Sequence, residues 1–475
     1  MAEGLEAARA ALAGRSAWLV GGAIRDRLLG RTTVDLDVIV DGDPAAAARA
    51  IARAAGRAAC FALSEDFGAW RVAARDSSWQ VDVEPMRGGS LEVDLALRDF
   101  TVNAIAEPIA GGEPIDPLGG LQDLEARRLR MASPSAFAED PLRVLRLARV
   151  AIELDLEPEP DTRRLAAEHA GRLASCSPER VFVELRRIIA APQALRGLEL
   201  LGELGATAVV LPELDSLRGV EQNRFHHTDV YGHTLEVLDR TIALTDTGAD
   251  GQLRADTEAG AVIEGHRAEL AALLAEPLAD GIARRDALRW GALLHDAAKP
   301  LTRAVRPDDG RVTFIGHDDR GASLARAVLG RMRTSERLRA HVAALVRHHL
   351  RLGFLVHEPQ PLARRTVYRY LRTCSPVEVD VTLLSVADRL ATRGEHARES
   401  IDAHMGVART MLADALRWRA EGPPAPLLRG DELADELGIA TGPRVGELLE
   451  ALAEARYAGE VATREQALAY ARTLP

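Results

Sequence analysis

The chain has 475 residues, 47% of them hydrophobic and 28% charged, with a formal net charge of −11. That length calls for three or four compact units, and the acidic balance excludes a generally sticky nucleic-acid binder while leaving room for local basic patches. Cys60, Cys176 and Cys374 are too few and too scattered for a disulfide framework or a cysteine zinc site, and no stretch nears the roughly 20 apolar residues of a membrane span, so a reducing cytoplasm is the expected compartment.

In chain order, residues 1–14 form an Ala-rich helical pattern without the apolar core of a signal peptide. Apolar Trp18 to Val20 predicts a buried strand. Gly21-Gly22 predicts a turn where bare backbone approaches a ligand, and Ile24 to Leu29 a short helix closed by Gly30. Asp35 and Asp37 lie two apart on the next strand, so both carboxylates leave one face. Free amides at a helix start favour phosphate, and paired hard carboxylates favour Mg²⁺ that also takes substrate phosphate oxygens. A helix over 44–56 and strands over 58–63, 69–74 and 79–84 follow, with Asp82 and Glu84 on one face of the last. Asp82 is the candidate third carboxylate.

The 95–106 segment is read as a helix that makes Asp99 and Asn103 i,i+4 neighbours flanked by Arg98. Asp116 and Asp123 read as turn and helix caps. Pro141, preceded by Glu139 and Asp140, marks another helix start, and Arg143, Arg146 and Arg149 recur every third residue along it. From pattern alone this is a capped helix with a solvated basic stripe.

Taken together, these stretches resemble the class II tRNA nucleotidyltransferases and bacterial poly(A) polymerases of the DNA polymerase β superfamily. The resemblance implies an α+β fold: a small polymerase β-like head with a mixed sheet over 1–125, a helical neck over 126–220, an HD-type domain over 221–400 and a helical tRNA-binding tail over 401–475. It implies Mg²⁺ on Asp35 and Asp37, catalysis by these with Asp82, and nucleotide binding by Gly21, Gly22, Arg25, Arg98, Asp99 and Asn103. It turns Asp140 and Arg143 into readers of the incoming base, with Arg146 and Arg149 completing the nucleotide-binding set. The chemistry suits base reading, since a carboxylate accepts from the exocyclic amine that cytosine and adenine share and a guanidinium donates to their ring acceptors. Two departures stand out. Leu97 replaces an arginine that the family usually carries before Arg98, and the connection from the Asp82 strand to Arg98 is short. The second departure keeps CC-only addition open.

The middle of the chain brings a different chemistry. His233, His295-Asp296, His317, His348-His349 and Asp388 recur in apolar helical surroundings, where unpaired polar groups cost a few kcal/mol. The set resembles the HD phosphohydrolases, which implies a divalent metal (Mg²⁺, Mn²⁺ or Ni²⁺) held by His233, His295, Asp296, His317, His348 and Asp388. His349 is the alternative to His348. Lys299, the one lysine of the chain, follows His295 by one helical turn. Residues 331–372 hold ten arginines against two acids and suggest a tRNA-backbone track. A Pro-rich linker near 422–426 precedes a tail of short helices in which Thr463 and Gln466 fit a capping box.

The expected activity is template-independent addition of C and A to the tRNA 3′ end from CTP and ATP, by a monomer or homodimer away from membranes. The rivals are CC-only addition, poly(A) synthesis, and an HD phosphohydrolase whose head only binds RNA.

Overall fold

The computed structural model describes residues 2–56, 58–64, 68–222, 227–248, 251–254, 257–394 and 397–474. They fall into two compact units: residues 1–184 with 196–210, and residues 185–195 with 211–475. A mixed sheet occupies the first and helices dominate the second, in agreement with the α+β expectation.

Six strands build the sheet: β1 (Ala17–Val20), β2 (Asp35–Val40), β3 (Ala59–Ser64), β4 (Ala69–Ala73), β5 (Gln80–Pro85) and β6 (Ala106–Pro108), in the spatial order β3-β4-β5-β2-β1-β6. The β2–β5 pair is parallel and the others are antiparallel. A parallel pair needs a crossover, and the Pro44–Ala54 helix supplies it. Asp43 caps that helix by accepting from the Ala45 N–H at 2.9 Å, and Ala47, Ala48, Ile51 and Ala52 form its buried stripe. On β2, Leu36 and Val38 are buried and alternate with the more exposed Asp35 and Asp37. Val20, Ile39, Leu91, Leu95, Ala104 and Ala106 pack together beside β1 and β2.

Beyond the sheet, the Arg143–Leu154 helix buries Val144, Leu145, Leu147, Ala148, Val150 and Ala151, and the Pro178–Ala190 helix follows. In the second unit, the Val230–Thr245, Arg284–Leu294, His317–Arg331, Glu336–His348 and Glu378–Ala391 helices pack around a common centre. Gly321 permits one close approach there, since a Cβ on it would fall 2.9 Å from Val346. The tail helices Gly430–Leu437, Pro443–Tyr457 and Arg464–Ala471 enclose a small core of Leu428, Leu433, Leu448 and Leu452. The expected capping box is present, with Thr463 accepting from the Gln466 N–H at 3.3 Å and Gln466 accepting from the Thr463 N–H at 3.2 Å.

The arginines of 331–372 are largely engaged within the protein. Arg364 meets Asp414 at 2.9 Å, Arg369 meets Glu454 at 2.8 Å and Arg372 meets Glu450 at 3.2 Å. Arg365 binds Glu460 and donates to the Tyr470 hydroxyl at 2.7 Å. Much of the run therefore ties helices of the second unit together, because acids remote in sequence fold against it.

Candidate active sites

The first site grows out of β2. The parallel register sets Asp82 level with Asp37, and Glu84 follows two residues along β5. Burial pushes the Asp37 carboxyl from 3.8 up to about 6; Arg98 opposes this, while Glu84, Asp82 and Asp35 reinforce it. Crowded carboxylates in a partly desolvated place are a natural seat for a divalent cation, which relieves their mutual repulsion. Gly21, at φ +70° before the Gly22–Leu28 helix, lies against this group. A Cβ there would come within 3.1 Å of Arg98 Nη1 and 3.4 Å of Asp37 Oδ2, so conformation favours glycine and a side chain would press on both groups. Arg98 Nε and Nη2 are buried without a hydrogen bond, with Asp94 Oδ2 3.5 Å from Nη2. Spare guanidinium donors beside a cation seat fit a bound triphosphate.

Other predicted residues are brought together by contacts of their own. Arg25 Nη1 donates to Asn103 Oδ1 at 2.5 Å, and Asn103 Nδ2 donates to Asp99 Oδ1 at 2.9 Å. The Phe100 N–H reaches the same oxygen, while Arg146 Nη2 lies 2.7 Å from Asp99 Oδ2. Although burial alone would raise it, Asp99 is held down to about 2 by Arg146, Asn103 and the Phe100 amide. Its oxygens are thus used by the protein itself. The expected helix through 95–106 is corrected: it stops at Ala96, and Thr101–Asn103 is a 3-10 turn. The Asp99–Asn103 bond survives because the Thr101–Asn103 turn brings the two side chains together. Asp82 sits where a third carboxylate was expected, yet Arg71 forks it with two bonds of 2.7 Å.

The basic stripe divides. Arg143 donates to the Ala136 carbonyl at 3.1 Å and the Leu97 carbonyl at 2.7 Å, and Arg146 reaches Asp99. Arg149 is corrected: it is buried with Glu184 at 2.5 Å and Glu153 at 2.8 Å. A spacing of three gains only 300° per step, so the third arginine has rotated off the face shared by the first two. Asp140 Oδ1 accepts from the Leu142 N–H at 3.1 Å, and Oδ2 from Arg180 Nη2 at 2.6 Å.

The second site centres on Asp296, which is 1% exposed. His295 Nε2 lies 3.1 Å from its Oδ2 and Lys299 Nζ 2.7 Å from the same atom, with His317 Nε2 3.3 Å from Oδ1. His233 Nε2 stands between Asp388 at 3.1 Å and Asp296 at 3.6 Å. Burial pushes both carboxyls upward, but the surrounding imidazoles, with Lys299 at Asp296, hold them below the ordinary carboxylate range. The Nδ1 atoms of His295, His317 and His349 lie 2.7, 2.7 and 2.6 Å from the carbonyls of Ala292, Phe314 and Val346. An Nδ1–H donating to a carbonyl leaves the Nε2 lone pair for a metal. Potential ligand atoms of His233, His295 and Asp296 lie within 4.8 Å of one another, as do those of Asp296, His317 and His349. This donor set fits divalent transition metals.

His348 is corrected to His349. The two rings are about 100° apart around the helix; His349 is 1% exposed and faces Asp296, whereas His348 accepts from Arg351 Nε at 3.0 Å. A cavity of 670 Å³ adjoins the centre, lined by Lys299, Arg311 and Arg389 among its cations and by Phe314, Ile315 and Phe354.

Comparison with known proteins settles the family. The poly A polymerase head domain matches residues 17–130, the probable RNA and SrmB-binding site of polymerase A matches 155–218, and the HD domain matches 266–393. An A-adding tRNA nucleotidyltransferase of Deinococcus radiodurans is 41% identical over 95% of this chain and 94% of its own. The chain belongs to the tRNA nucleotidyltransferase family. A CC-adding tRNA nucleotidyltransferase of Thermus thermophilus is 34% identical over 96% of this chain and 93% of its own. A multifunctional CCA protein of Xanthomonas campestris is also 34% identical, over 89% and 96%. The fold is shared with a CCA-adding enzyme solved with ATP (TM-score 0.63, 19% identity, 99% of this chain and 95% of that one). It is shared too with the Thermotoga maritima CCA-adding enzyme solved with tRNA (TM-score 0.60, 19% identity, 99% and 94%).

In this nucleotidyltransferase, Arg71, Arg180 and Arg389 are the site neighbours that sequence reasoning missed. Arg71 faces Asp82 only through the β4–β5 register, and Arg180 meets Asp140 across forty residues. Neither relation leaves a local sequence signal.

Proposed function

We propose that this enzyme adds C and A nucleotides to the 3′ end of tRNA, using CTP and ATP without a nucleic-acid template. The observation that carries the reading is that Asp140 and Arg143, three residues apart, lie in the same unit as the Asp35–Asp37 site, with Arg143 bonded to the Leu97 carbonyl next to Arg98. Arg98 and the Gly21 backbone hold the triphosphate; Asp140 accepts from the amine of cytosine or adenine, and Arg143 donates to the ring. Uracil and guanine present the opposite polarity and are refused. Asp35 and Asp37 would hold Mg²⁺, whose chemistry is to neutralise the triphosphate and activate the tRNA 3′-hydroxyl. Asp82, forked by Arg71, supports the local charge balance beside Asp37.

Three tRNA primers test this, ending at the discriminator base, at C74 and at C75 in standard tRNA numbering, each offered CTP and ATP singly and together. Completion of CCA from the first primer is expected. Extension of the C75 primer alone would establish A-only addition, a reading favoured by the 41% identity to an A-adding relative. Arrest after two cytidines would establish CC-only addition, and long A tails a poly(A) polymerase.

We also infer a second, hydrolytic activity at the Asp296 centre. His233, His295, Asp296, His317, His349 and Asp388 would hold a divalent metal, which would supply Lewis acidity and activate water for phosphoester hydrolysis. Lys299 and Arg389 stand in the adjoining cavity to bind the phosphate.

A further inference from the structure

We propose that Arg180 is a positioning residue for nucleobase choice, acting through Asp140; this rests on the base-reading role given to Asp140 above. A carboxylate can discriminate bases only if it meets the incoming edge at a fixed angle. Otherwise it rotates about its terminal bond and accepts from whichever donor arrives. Asp140 lies outside regular helix, at the extended residue between the Ala136–Glu139 and Arg143–Leu154 helices, so backbone packing alone does not lock its side chain. Two bonds do so instead. The Leu142 N–H holds Oδ1 at 3.1 Å, and Arg180 Nη2 holds Oδ2 at 2.6 Å. Each oxygen keeps a second lone pair, and with both first pairs engaged the plane of the carboxylate is set.

Arg180 is well suited to this work. It stands in the first turn of the Pro178–Ala190 helix, an element anchored independently by the buried Arg149–Glu184 pair. It carries donors only, which complements an acceptor-only carboxylate. Its side chain is 54% exposed and that of Asp140 26%. An ion pair this exposed adds little to stability, so its consequence lies in orientation. Arg143, the other member of the reading pair, is held in an analogous way by the Ala136 and Leu97 carbonyls. Both readers are therefore braced before a nucleotide arrives.

The test compares wild type, Arg180→Met, Arg180→Lys and Asp140→Asn on a primer that accepts the correct nucleotide, with CTP, ATP, UTP and GTP offered separately. Binding of each nucleotide to the protein–primer complex is measured alongside incorporation, and thermal unfolding checks the fold. For Arg180→Met we expect an unchanged unfolding temperature. KM for the correct nucleotide should rise more than kcat falls, and preference over UTP and GTP should drop by about tenfold, a change of the size that one misaligned polar contact produces. Arg180→Lys should recover a large part of that preference. A merely structural Arg180 would lower use of all four nucleotides alike, and that result overturns the proposal. If Asp140→Asn relaxes base choice while Arg180→Met does not, only the Arg180 role is overturned. If Asp140→Asn leaves base choice intact, base reading by Asp140 fails and the Arg180 role fails with it.

Discussion

At the scale of single residues, Asp37, the group proposed to hold the catalytic cation, is kept at a cost to the fold. Its folded value of about 6 lies above the ordinary 3.8 because the charged form is desolvated and crowded by Glu84, Asp82 and Asp35. The native state therefore binds a proton that the unfolded chain releases between those two values. Stability falls as pH rises through that window, and the full penalty, up to about 3 kcal/mol, stands above pH 6. Asp37→Asn removes the charge and keeps the shape. In EDTA, the variant should melt a few degrees above wild type at pH 8 and coincide with it near pH 4, while nucleotide incorporation is lost. Added Mg²⁺ should raise the melting temperature of wild type and leave that of the variant unmoved. A variant less stable than wild type at pH 8 would contradict this account. The same scale sets the limit of reading the His348-His349 pair: adjacent histidines on a helix differ only in rotation, and the burial that selects His349 comes from neighbouring helices.

At the scale of elements, the Arg143–Leu154 helix gives its arginines separate duties. Arg146 joins a line of bonds running through Asp99 and Asn103 to Arg25, whereas Arg149 is buried against Glu184 and Glu153. Removing one partner of a buried pair leaves an uncompensated charge and costs about 3–5 kcal/mol. Arg149→Met should therefore leave Glu184 exposed to that penalty, lowering the melting temperature and, once folded at low temperature, sparing the KM for nucleotide. Arg146→Met also strips a buried carboxylate, Asp99, of its cation and should lower the melting temperature too, but it should in addition raise KM several-fold, because Asp99 and its bonded neighbours lose their anchor. Melting curves and initial rates for the two variants separate these outcomes, and equal effects on both measures would refute the division. Much of this element layer was legible in advance. Strands expected over 58–63, 69–74 and 79–84 fall at Ala59–Ser64, Ala69–Ala73 and Gln80–Pro85, because alternation and turn residues are local signals. The helix expected through 95–106 was not legible in its true form. Its end at Ala96 and the turn after it are set by contacts with later segments, such as the Thr101 N–H donating to the Arg130 carbonyl at 2.9 Å.

At the scale of the whole molecule, the two candidate sites lie in two compact units, and both draw on residue types that are costly to bury. Carboxylates two apart on a strand and a buried His-Asp pair at the end of a helix each ask for a partner, which made these clusters readable. The lone lysine was readable for a similar reason: Lys299 places a compact ammonium 2.7 Å from Asp296 and donates to the Gln222 side chain at 2.7 Å. Much of the basic run over 331–372 is paired with acids that lie as far away in sequence as Glu454 and Glu460, partners no local reading could show. Separate housing makes the two proposed activities separable. Asp35→Asn should cut nucleotide incorporation by at least about 100-fold, since the variant loses a charge that meets the substrate cation, and should leave metal-dependent hydrolysis of a phosphoester within about twofold. Asp296→Asn should abolish hydrolysis and metal uptake by the second unit while incorporation persists. Because Asp296 balances Lys299 and the surrounding imidazoles, its loss also strains that unit, so incorporation is measured at a temperature where melting curves show both variants folded. Loss of incorporation in a folded Asp296→Asn protein would show that the second centre acts on the first, and would replace two independent sites with one coupled machine.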